Sequence, residues 1–257
     1  MQPGLYPTIP LAAYHAAPGL SKSDLDLMAR SPAHWKYGWR EETPALRLGA
    51  AVHAAVLEPH QWETRYVCIT GRRTVDPDTT ANRTVLSATE WDTCQRIREA
   101  VWRHPTCQDL FRDGQAETSA WWLDPKTGLL CKCRPDWNRP GVLVDLKTAS
   151  DASPPGFFRA VERYRYHVQA AYALEGWPQA GGDPADRFLF VVVEKAPPYA
   201  VALYELSSTL LGDARALIRR DLATAAECLA RQHWPGYPTQ IVTLPLDAGR
   251  PAPGRLF

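Results

Sequence analysis

The chain has 257 residues, of which 45% are hydrophobic and 22% are charged, as in ordinary globular proteins, and its formal net charge is +1. It contains no apolar stretch long enough to span a bilayer, and its N-terminus lacks the layout of a signal peptide, so we expect a cytoplasmic protein with no membrane partner. The near-neutral charge excludes a globally basic nucleic-acid-binding protein, so a nucleic-acid partner would require a local basic patch. Six cysteines without a CxxC pair favour reduced, packed thiols over a zinc ribbon or a disulfide scaffold.

The N-terminal half of the chain is predicted to be mainly helical. Residues 1–20 are rich in Pro and Gly and are expected to be extended, and the arginine-containing segment 71–83 is expected to be an exposed loop. Apolar periodicity and capping signals predict helices over 21–30 (N-cap Ser21 or Ser23), around 33–35, over 46–57, and from the capping box at 87–90 to about 104.

Strands and helices alternate in the C-terminal half. Strands are predicted over 117–123, 129–137 and 142–147, then a helix over 157–176, a hairpin of 188–194 with 200–206, and a helix over 210–232. We therefore expect an α/β protein in which helices flank a mixed central sheet. The expected organisation is a single domain, 1–257, with a mainly helical N-terminal region over residues 1–110, a catalytic core over 111–240 and a tail over 241–257.

Two carboxylates and a lysine meet at the predicted strand ends. Asp145 and Lys147 lie two residues apart after an apolar run, so in a strand they point the same way, and Asp136 lies one hairpin away. Two carboxylates suit a hard divalent ion such as Mg²⁺, and a neighbouring lysine can orient a water molecule and offset developing negative charge. Buried charges are costly unless they are paired or bind a metal, which favours a phosphodiester-cleaving site over a solvated strand end.

The ordered motifs resemble those of a known nuclease group. The matching segments are Cys133-Arg134-Pro135-Asp136-Trp137, Val144-Asp145-Leu146-Lys147-Thr148, Tyr166-His167-Val168-Gln169-Ala170-Ala171-Tyr172, and residues 14–23, 30–35 and 48–59. In this set the chain resembles the PD-(D/E)XK nuclease superfamily, and within it the RecE-type exonucleases (exodeoxyribonuclease VIII) and their phage-borne relatives. The resemblance implies a restriction-endonuclease-like core.

The resemblance also implies roles for individual residues. Asp136, Asp145 and the Leu146 carbonyl would bind Mg²⁺, which Mn²⁺ would replace, and Lys147 would be the catalytic lysine. His53, which without the resemblance is typical of an ordinary helix histidine, would bind or orient a second ion or its water. Gln169, on the helix after the DxK strand, would touch the site or the DNA backbone, and Glu117 would be a further acidic residue at the metal.

Contacts with DNA are expected from five residues: Ser21, Ser23, Arg30, Arg134 and Tyr172. For the two serines, helix capping is an equally good explanation. Relatives often carry a tyrosine four positions after the glutamine, where this chain has Ala173. Tyr172 lies one place earlier, which rotates it by about 100° on a helix.

The resemblance finally implies an activity and its partners. We expect a Mg²⁺-dependent exonuclease that acts on linear double-stranded DNA ends from the 5′ end and leaves 3′ single-stranded tails for recombination. A single-strand annealing protein would be its partner, and the nuclease would form a ring-shaped homo-oligomer. No iron–sulfur cluster is expected, since only Cys228 follows the glutamine helix. The alternatives are an endonuclease on the same fold and a catalytically inactive DNA-binding protein.

Overall fold

The structure is a computed structural model that describes residues 1–38, 43–69 and 83–243. In chain order its helices are α1 Leu11–Ala16, α2 Lys22–Arg30, α3 Pro32–Tyr37, α4 Pro44–Leu57, α5 Pro59–Arg65, α6 Ala88–Arg103, α7 Pro105–Leu110, α8 Pro154–Arg163, α9 Tyr166–Gln179 and α10 Ser208–Arg231. Its strands are β1 Gly4–Tyr6, β2 Tyr66–Ile69, β3 Thr84–Ser87, β4 Gln115–Ala116, β5 Ser119–Leu123, β6 Leu130–Cys133, β7 Trp137–Arg139, β8 Gly141–Ala149, β9 Ala185–Glu194 and β10 Val201–Glu205.

A five-stranded mixed sheet forms the centre of the fold, in the order β10-β9-β8-β7-β4. The central pair β8 and β9 is parallel and the other pairs are antiparallel. A three-stranded sheet, β1-β5-β6, and a parallel pair, β2-β3, complete the β structure of the described residues. The predicted fold, a mixed α/β core with a helical N-terminal region, is confirmed.

The central sheet lies between two helical layers. Side chains of β9 alternate, as the period of a strand requires. Phe188, Phe190 and Val192 pack with α8, α9 and α10, whereas Leu189, Val191 and Val193 pack with α4, α6 and α7. The two faces of β8 are divided in the same way, with Leu143 on the first side and Val144 and Leu146 on the second. Residues on β8 can therefore meet groups from both layers.

Several predicted boundaries were wrong for identifiable physical reasons. The strand predicted over 129–137 splits into β6 and β7, which belong to different sheets, because Pro135 has no N–H to donate to a ladder. The connection between the strands predicted to end at residue 137 and to begin at residue 142 is tighter, since β7 continues through Arg139 and pairs with β8. Residues 1–20 are not simply extended, because they contain β1 and α1.

The helix predicted over 157–176 is also interrupted. Arg165 separates α8 from α9 and adopts a left-handed backbone with φ of +52°. Its guanidinium donates to the Leu25 carbonyl at 2.9 Å and pairs with Asp221 at 2.5 Å, which fixes the break against α2 and α10. Of the loop predicted over 71–83, all but Arg83 lies outside the described residues, Arg72 and Arg73 included. Among the helices that the structure describes, none is long and apolar enough to cross a membrane.

Gly176 allows α9 to approach β5 closely. A Cβ atom at this position would lie 2.3 Å from the ring of Trp122, which is itself buried. We therefore expect Gly176→Ala to destabilise the protein by about 1–3 kcal/mol through overpacking, measured by urea unfolding. Gly212→Ala is the matched control, since a Cβ there meets nothing within 4 Å, and it should stabilise α10 by roughly 0.5–1 kcal/mol. Equal effects of the two changes would contradict the close packing of α9.

A capping box fixes the start of α6 and ties it to α4. The Glu90 carboxylate accepts hydrogen bonds from the Ser87 backbone N–H at 2.9 Å and from Arg47 at 2.9 Å. These contacts lower the pKa of Glu90 from 4.5 to about 2. A lowered carboxyl pKa stabilises the folded state above the unfolded-state value, and this contribution disappears as the pH falls through the folded-state value.

The expected result is therefore pH-dependent. Glu90→Gln should lower the free energy of unfolding above pH 4.5, and its difference from wild type should shrink as the pH falls towards 2. Urea titrations across this range measure the difference. Glu99→Gln, on an exposed face of the same helix, is the control and should show no comparable pH-dependent loss. A constant Glu90→Gln difference at every pH would contradict the assignment.

Candidate active site

The Asp145-Leu146-Lys147 triplet lies inside β8 rather than at its end, since the strand continues to Ala149. Asp145 is 2% exposed, whereas the Lys147 side chain is 19% exposed. The side chain of Leu146 packs in the opposite layer, with α4. The alternation of the strand therefore sends both charged groups of the triplet towards α9, and the backbone of Leu146 remains accessible to groups from α4.

Asp136 and His53 meet at the backbone of Leu146. The Leu146 N–H donates to Asp136 Oδ2 at 2.6 Å, and His53 Nε2 donates to the Leu146 carbonyl at 2.7 Å. The other ring nitrogen, His53 Nδ1, lies 3.3 Å from Asp136 Oδ1. Asp136 reaches this point because it lies in the break between β6 and β7. The carbonyl predicted as a metal ligand and the predicted histidine are thus neighbours.

Glu117 joins the same group from the loop between β4 and β5. Its backbone is left-handed, with φ of +56°, and its N–H donates to the Asp136 carbonyl at 3.0 Å. Ligand atoms of His53, Glu117 and Asp136 all lie within 4.8 Å of one another. A left-handed conformation costs a residue with a side chain roughly 1 kcal/mol or more, so its occurrence beside this cluster is consistent with a functional constraint.

Asp145 occupies the adjacent half of the site. Its Oδ2 atom lies 2.6 Å from Lys147 Nζ, and its Oδ1 atom accepts a hydrogen bond from the Gln169 side chain. At this distance the Lys147 ammonium is the partner of the buried Oδ2 atom. A buried carboxylate of this kind is also a natural ligand for a divalent cation.

Burial and charge set the ionisation of these groups. Burial, with the Asp136 charge, raises the pKa of Glu117 and that of Asp145. Burial acts in the same direction on Asp136, but the neighbouring His53 charge and hydrogen bond outweigh it and lower the pKa of Asp136. Burial disfavours the His53 imidazolium, yet Asp136 raises the pKa of His53 to about 9. The buried carboxylates of Asp136 and Asp145 and the half-buried carboxylate of Glu117 are therefore held beside the cations His53, Lys147 and Arg134.

The donor set fits a divalent cation. Carboxylate and backbone carbonyl oxygens are the ligands preferred by Mg²⁺ and Mn²⁺, and an imidazole is compatible with Mn²⁺ and other transition metals. The residues that would hold the ion are Glu117 and Asp136, with His53 joining them as the neutral imidazole. Asp145 and the Leu146 carbonyl lie beside this group and would supply further oxygen ligands. Burial and the neighbouring Asp136 charge raise the pKa of Asp145, which indicates a position that favours added positive charge.

Comparison with known proteins identifies the family of the chain. Residues 19–243 match the family described as "PDDEXK-like domain of unknown function (DUF3799)". The chain belongs to this family. A search of curated proteins found no match for this PDDEXK-like protein.

One solved structure shares the fold of this PDDEXK-like protein. The crystal structure of a "putative exonuclease" from Eubacterium rectale is 17% identical, covers 93% of this chain and 96% of its own, and superposes with a TM-score of 0.61. At that identity the likeness shows the fold alone. The structure of the protein SSO0001 is 13% identical over 67% of this chain and 86% of its own, but its TM-score of 0.29 carries no argument.

Two residues predicted to contact DNA have other roles in this PDDEXK-like domain. The Arg134 side chain is 9% exposed and donates to Glu117 at 2.5 Å and to Ser119 and the Ile9 carbonyl at 2.7 Å. Tyr172 is 1% exposed, and its hydroxyl donates to the Leu20 carbonyl at 2.7 Å. The Tyr172 prediction is corrected, because this side chain is buried and its hydroxyl is committed to the protein interior. The Nε and Nη1 groups of Arg134 are likewise used within the protein.

The other predicted DNA contacts remain predictions. Ser21 caps α2, where the Asp24 carboxylate accepts from its N–H at 2.7 Å and from its hydroxyl at 2.5 Å. Ser23 is exposed in the first turn of the same helix. Arg30 lies at the far end of α2, exposed, and donates to the Tyr237 hydroxyl at 3.1 Å. The structure thus gives Ser21 a capping role and leaves Ser23 and Arg30 on the surface.

The sequence analysis did not identify one neighbour of Lys147. Lys147 Nζ lies over the ring of Tyr166, 4.6 Å from its centroid, and Lys22 Nζ lies 5.8 Å from the same centroid. Tyr166 precedes Gln169 by three residues, so the two share one side of α9. That spacing was the signal in the sequence that could have associated Tyr166 with the site.

Proposed function

We propose that this protein is a divalent-metal-dependent nuclease that cleaves phosphodiester bonds. The observation that carries the proposal is the cluster at Leu146, where Asp136 and His53 contact the backbone on one side and Asp145 and Lys147 form an ion pair on the other. Membership in a PDDEXK-like family supports it, since the three charged residues of that motif are present as Asp136, Asp145 and Lys147.

Each residue has a task that its position allows. A bound Mg²⁺ or Mn²⁺ would supply Lewis-acid chemistry by withdrawing charge from the scissile phosphate. Lys147 holds a positive charge at the surface of the site, where it orients the attacking water and offsets the negative charge that develops on the phosphate. Gln169 holds the Asp145 carboxylate through its side-chain amide, and His53 holds the Leu146 carbonyl. These contacts keep oxygen ligands oriented without adding negative charge.

We further propose that the substrate is linear double-stranded DNA, degraded from its 5′ end to leave a 3′ single-stranded tail. The ordered motifs that resemble RecE-type exonucleases support this substrate, and a structural relative of the same fold bears the name "putative exonuclease". A chain of net charge +1 has no strong general attraction for DNA. A ring-shaped homo-oligomer that encloses the duplex would explain processive action without such attraction. A recombination role, with a single-strand annealing protein as partner, follows from the same resemblance.

The test is digestion of matched linear and closed-circular duplexes, labelled at the 5′ or 3′ end, with Mg²⁺, with Mn²⁺ and with EDTA. A Lys147→Ala preparation, purified in parallel, controls for contaminating nuclease. The expected result is metal-dependent loss of the 5′ label from linear DNA, intact circles and a growing single-stranded 3′ tail. Cleaved circles would instead establish an endonuclease, and early loss of the 3′ label would reverse the polarity. DNA binding without cleavage under any metal would leave a DNA-binding protein and reject the proposed activity.

A further inference from the structure

Tyr166 is the first residue of α9 and belongs to the same face as Gln169. Gln169 contacts Asp145, and the ring of Tyr166 lies against the ammonium group of Lys147, 4.6 Å from ring centroid to Nζ. A single turn of one helix therefore contacts both charged side chains of the β8 triplet. The groups that would hold a metal ion do not require the contact between Tyr166 and Lys147.

The ring of Tyr166 is held in place by other aromatic rings. It stacks on Phe157, with centroids 6.0 Å apart and planes 27° from parallel, and on Phe190, at 5.8 Å and 30°. Tyr164 stacks on it at 5.6 Å and 30°. Phe157 and Phe190 are buried in the core. Tyr166 is consequently a fixed surface against which a flexible lysine can rest.

Lys147 needs such a surface because its other contact is with a candidate metal ligand. A lysine side chain has four methylene groups and many rotamers, and its ammonium is positioned only by the groups around it. Here those groups are the Asp145 carboxylate, at 2.6 Å, and the Tyr166 ring. When Asp145 shares its charge with an ion, its attraction for Lys147 weakens. The face of an aromatic ring attracts the ammonium without neutralising it.

We propose that Tyr166 is a positioning residue for Lys147: its ring holds the ammonium at the site when Asp145 turns to a metal ion. This inference rests on the proposed nuclease function, but its geometric component is independent of cleavage. The ring face, not the hydroxyl, performs the task, so phenylalanine should replace Tyr166 and an aliphatic residue should not.

The geometric component is tested by NMR of protein labelled with ¹³C-lysine. The chain has six lysines, so the Cε–Hε signal of Lys147 can be assigned by its disappearance in Lys147→Ala. We expect an upfield ring-current shift of this signal in the wild type and in Tyr166→Phe. The shift should persist when Mg²⁺ is added and should be lost in Tyr166→Leu. Tyr204→Leu, which removes another ring that stacks on Phe157 but not the one over Lys147, is the control for loss of packing.

The functional component is tested by single-turnover cleavage at saturating DNA and Mg²⁺, with DNA affinity measured separately in Ca²⁺. Tyr166→Leu should slow cleavage roughly 10- to 100-fold, as expected for a misplaced catalytic group, with DNA affinity unchanged. Tyr166→Phe and Tyr204→Leu should cleave at near the wild-type rate.

The possible outcomes separate this inference from the proposed function. The inference would be overturned if the Lys147 signal of the wild type is unshifted, or if its shift disappears when Mg²⁺ is added. This holds even if the protein cleaves DNA, and it needs no folded Tyr166→Leu variant. A full cleavage rate in folded Tyr166→Leu would also overturn it. A persistent shift in a protein that cleaves no DNA would support the ring contact and reject the nuclease activity.

Discussion

The Asp136→Asn protein should fold but bind divalent ions at least about 100-fold more weakly, because even contacts outside the ligand shell are worth 10- to 100-fold in metal affinity. In the wild type the Leu146 N–H donates to Asp136 Oδ2 at 2.6 Å. Asparagine has the same size as aspartate, and its side-chain oxygen can still accept this hydrogen bond. What is lost is the negative charge at the point where His53, Glu117 and Asp136 converge. Cleavage should fall with metal affinity, by at least about 10³-fold.

Two measurements check this result. Isothermal titration with Mn²⁺ gives the affinity, and NMR titration of the metal-free protein gives the pKa of His53, which should fall from about 9 because Asp136 is the group that raises it. Asp183→Asn, in an exposed loop, is the matched control and should match the wild type in both measurements. An Asp136→Asn protein that binds Mn²⁺ with wild-type affinity would show that the ion, if any, lies elsewhere.

Lys147→Ala is expected to separate metal binding from chemistry. The change removes the positive charge that orients water and offsets the negative charge of the reacting phosphate. The cleavage rate should therefore fall roughly 100- to 1,000-fold. Metal affinity should be retained or increased, because Asp145 no longer pairs with an ammonium at 2.6 Å. Burial and the neighbouring Asp136 charge raise the pKa of Asp145, and loss of the lysine should raise it further.

Cleavage rates at saturating Mg²⁺ and titration with Mn²⁺ on the same preparations test both halves of this expectation. Lys126→Ala is the control, since Lys126 is exposed in the turn between β5 and β6. Lys147→Arg should not restore full activity, because the planar guanidinium cannot place its charge where the compact ammonium lies. Loss of metal binding in Lys147→Ala would assign the lysine a structural role instead.

The sequence predicted which side chains lie together where the relevant spacing is local. Asp145 and Lys147 could be assigned to one face from the period of a strand, and the structure brings Asp136, His53, Gln169 and Glu117 beside them. The helix starts at Ser21 and Ser87 were equally readable, since capping depends on neighbours in sequence. Both kinds of inference need only short-range information.

The remainder depended on long-range contacts. Arg134 was predicted to contact DNA because it shares a strand face with Asp136, yet Glu117, Ser119 and the Ile9 carbonyl accept from its Nε and Nη1 groups. Lys132, on the same strand face, is 4% exposed and donates to the carbonyls of Tyr14 and Ala17. Nothing in a strand pattern reveals which distant backbone group will meet a basic side chain.

The wide separation of the site residues along the chain has a consequence during synthesis. His53 lies 93 residues before the Leu146 carbonyl that it contacts, and Gln169 lies 24 residues after Asp145. Contacts between distant residues form slowly and late in folding, because long loops must close first. A ribosome that has made α4, or even β8, has not yet produced a complete site. The site therefore lacks Gln169 until α9 has left the ribosome and packed against β8. Nuclease activity would then belong to the completely folded protein alone.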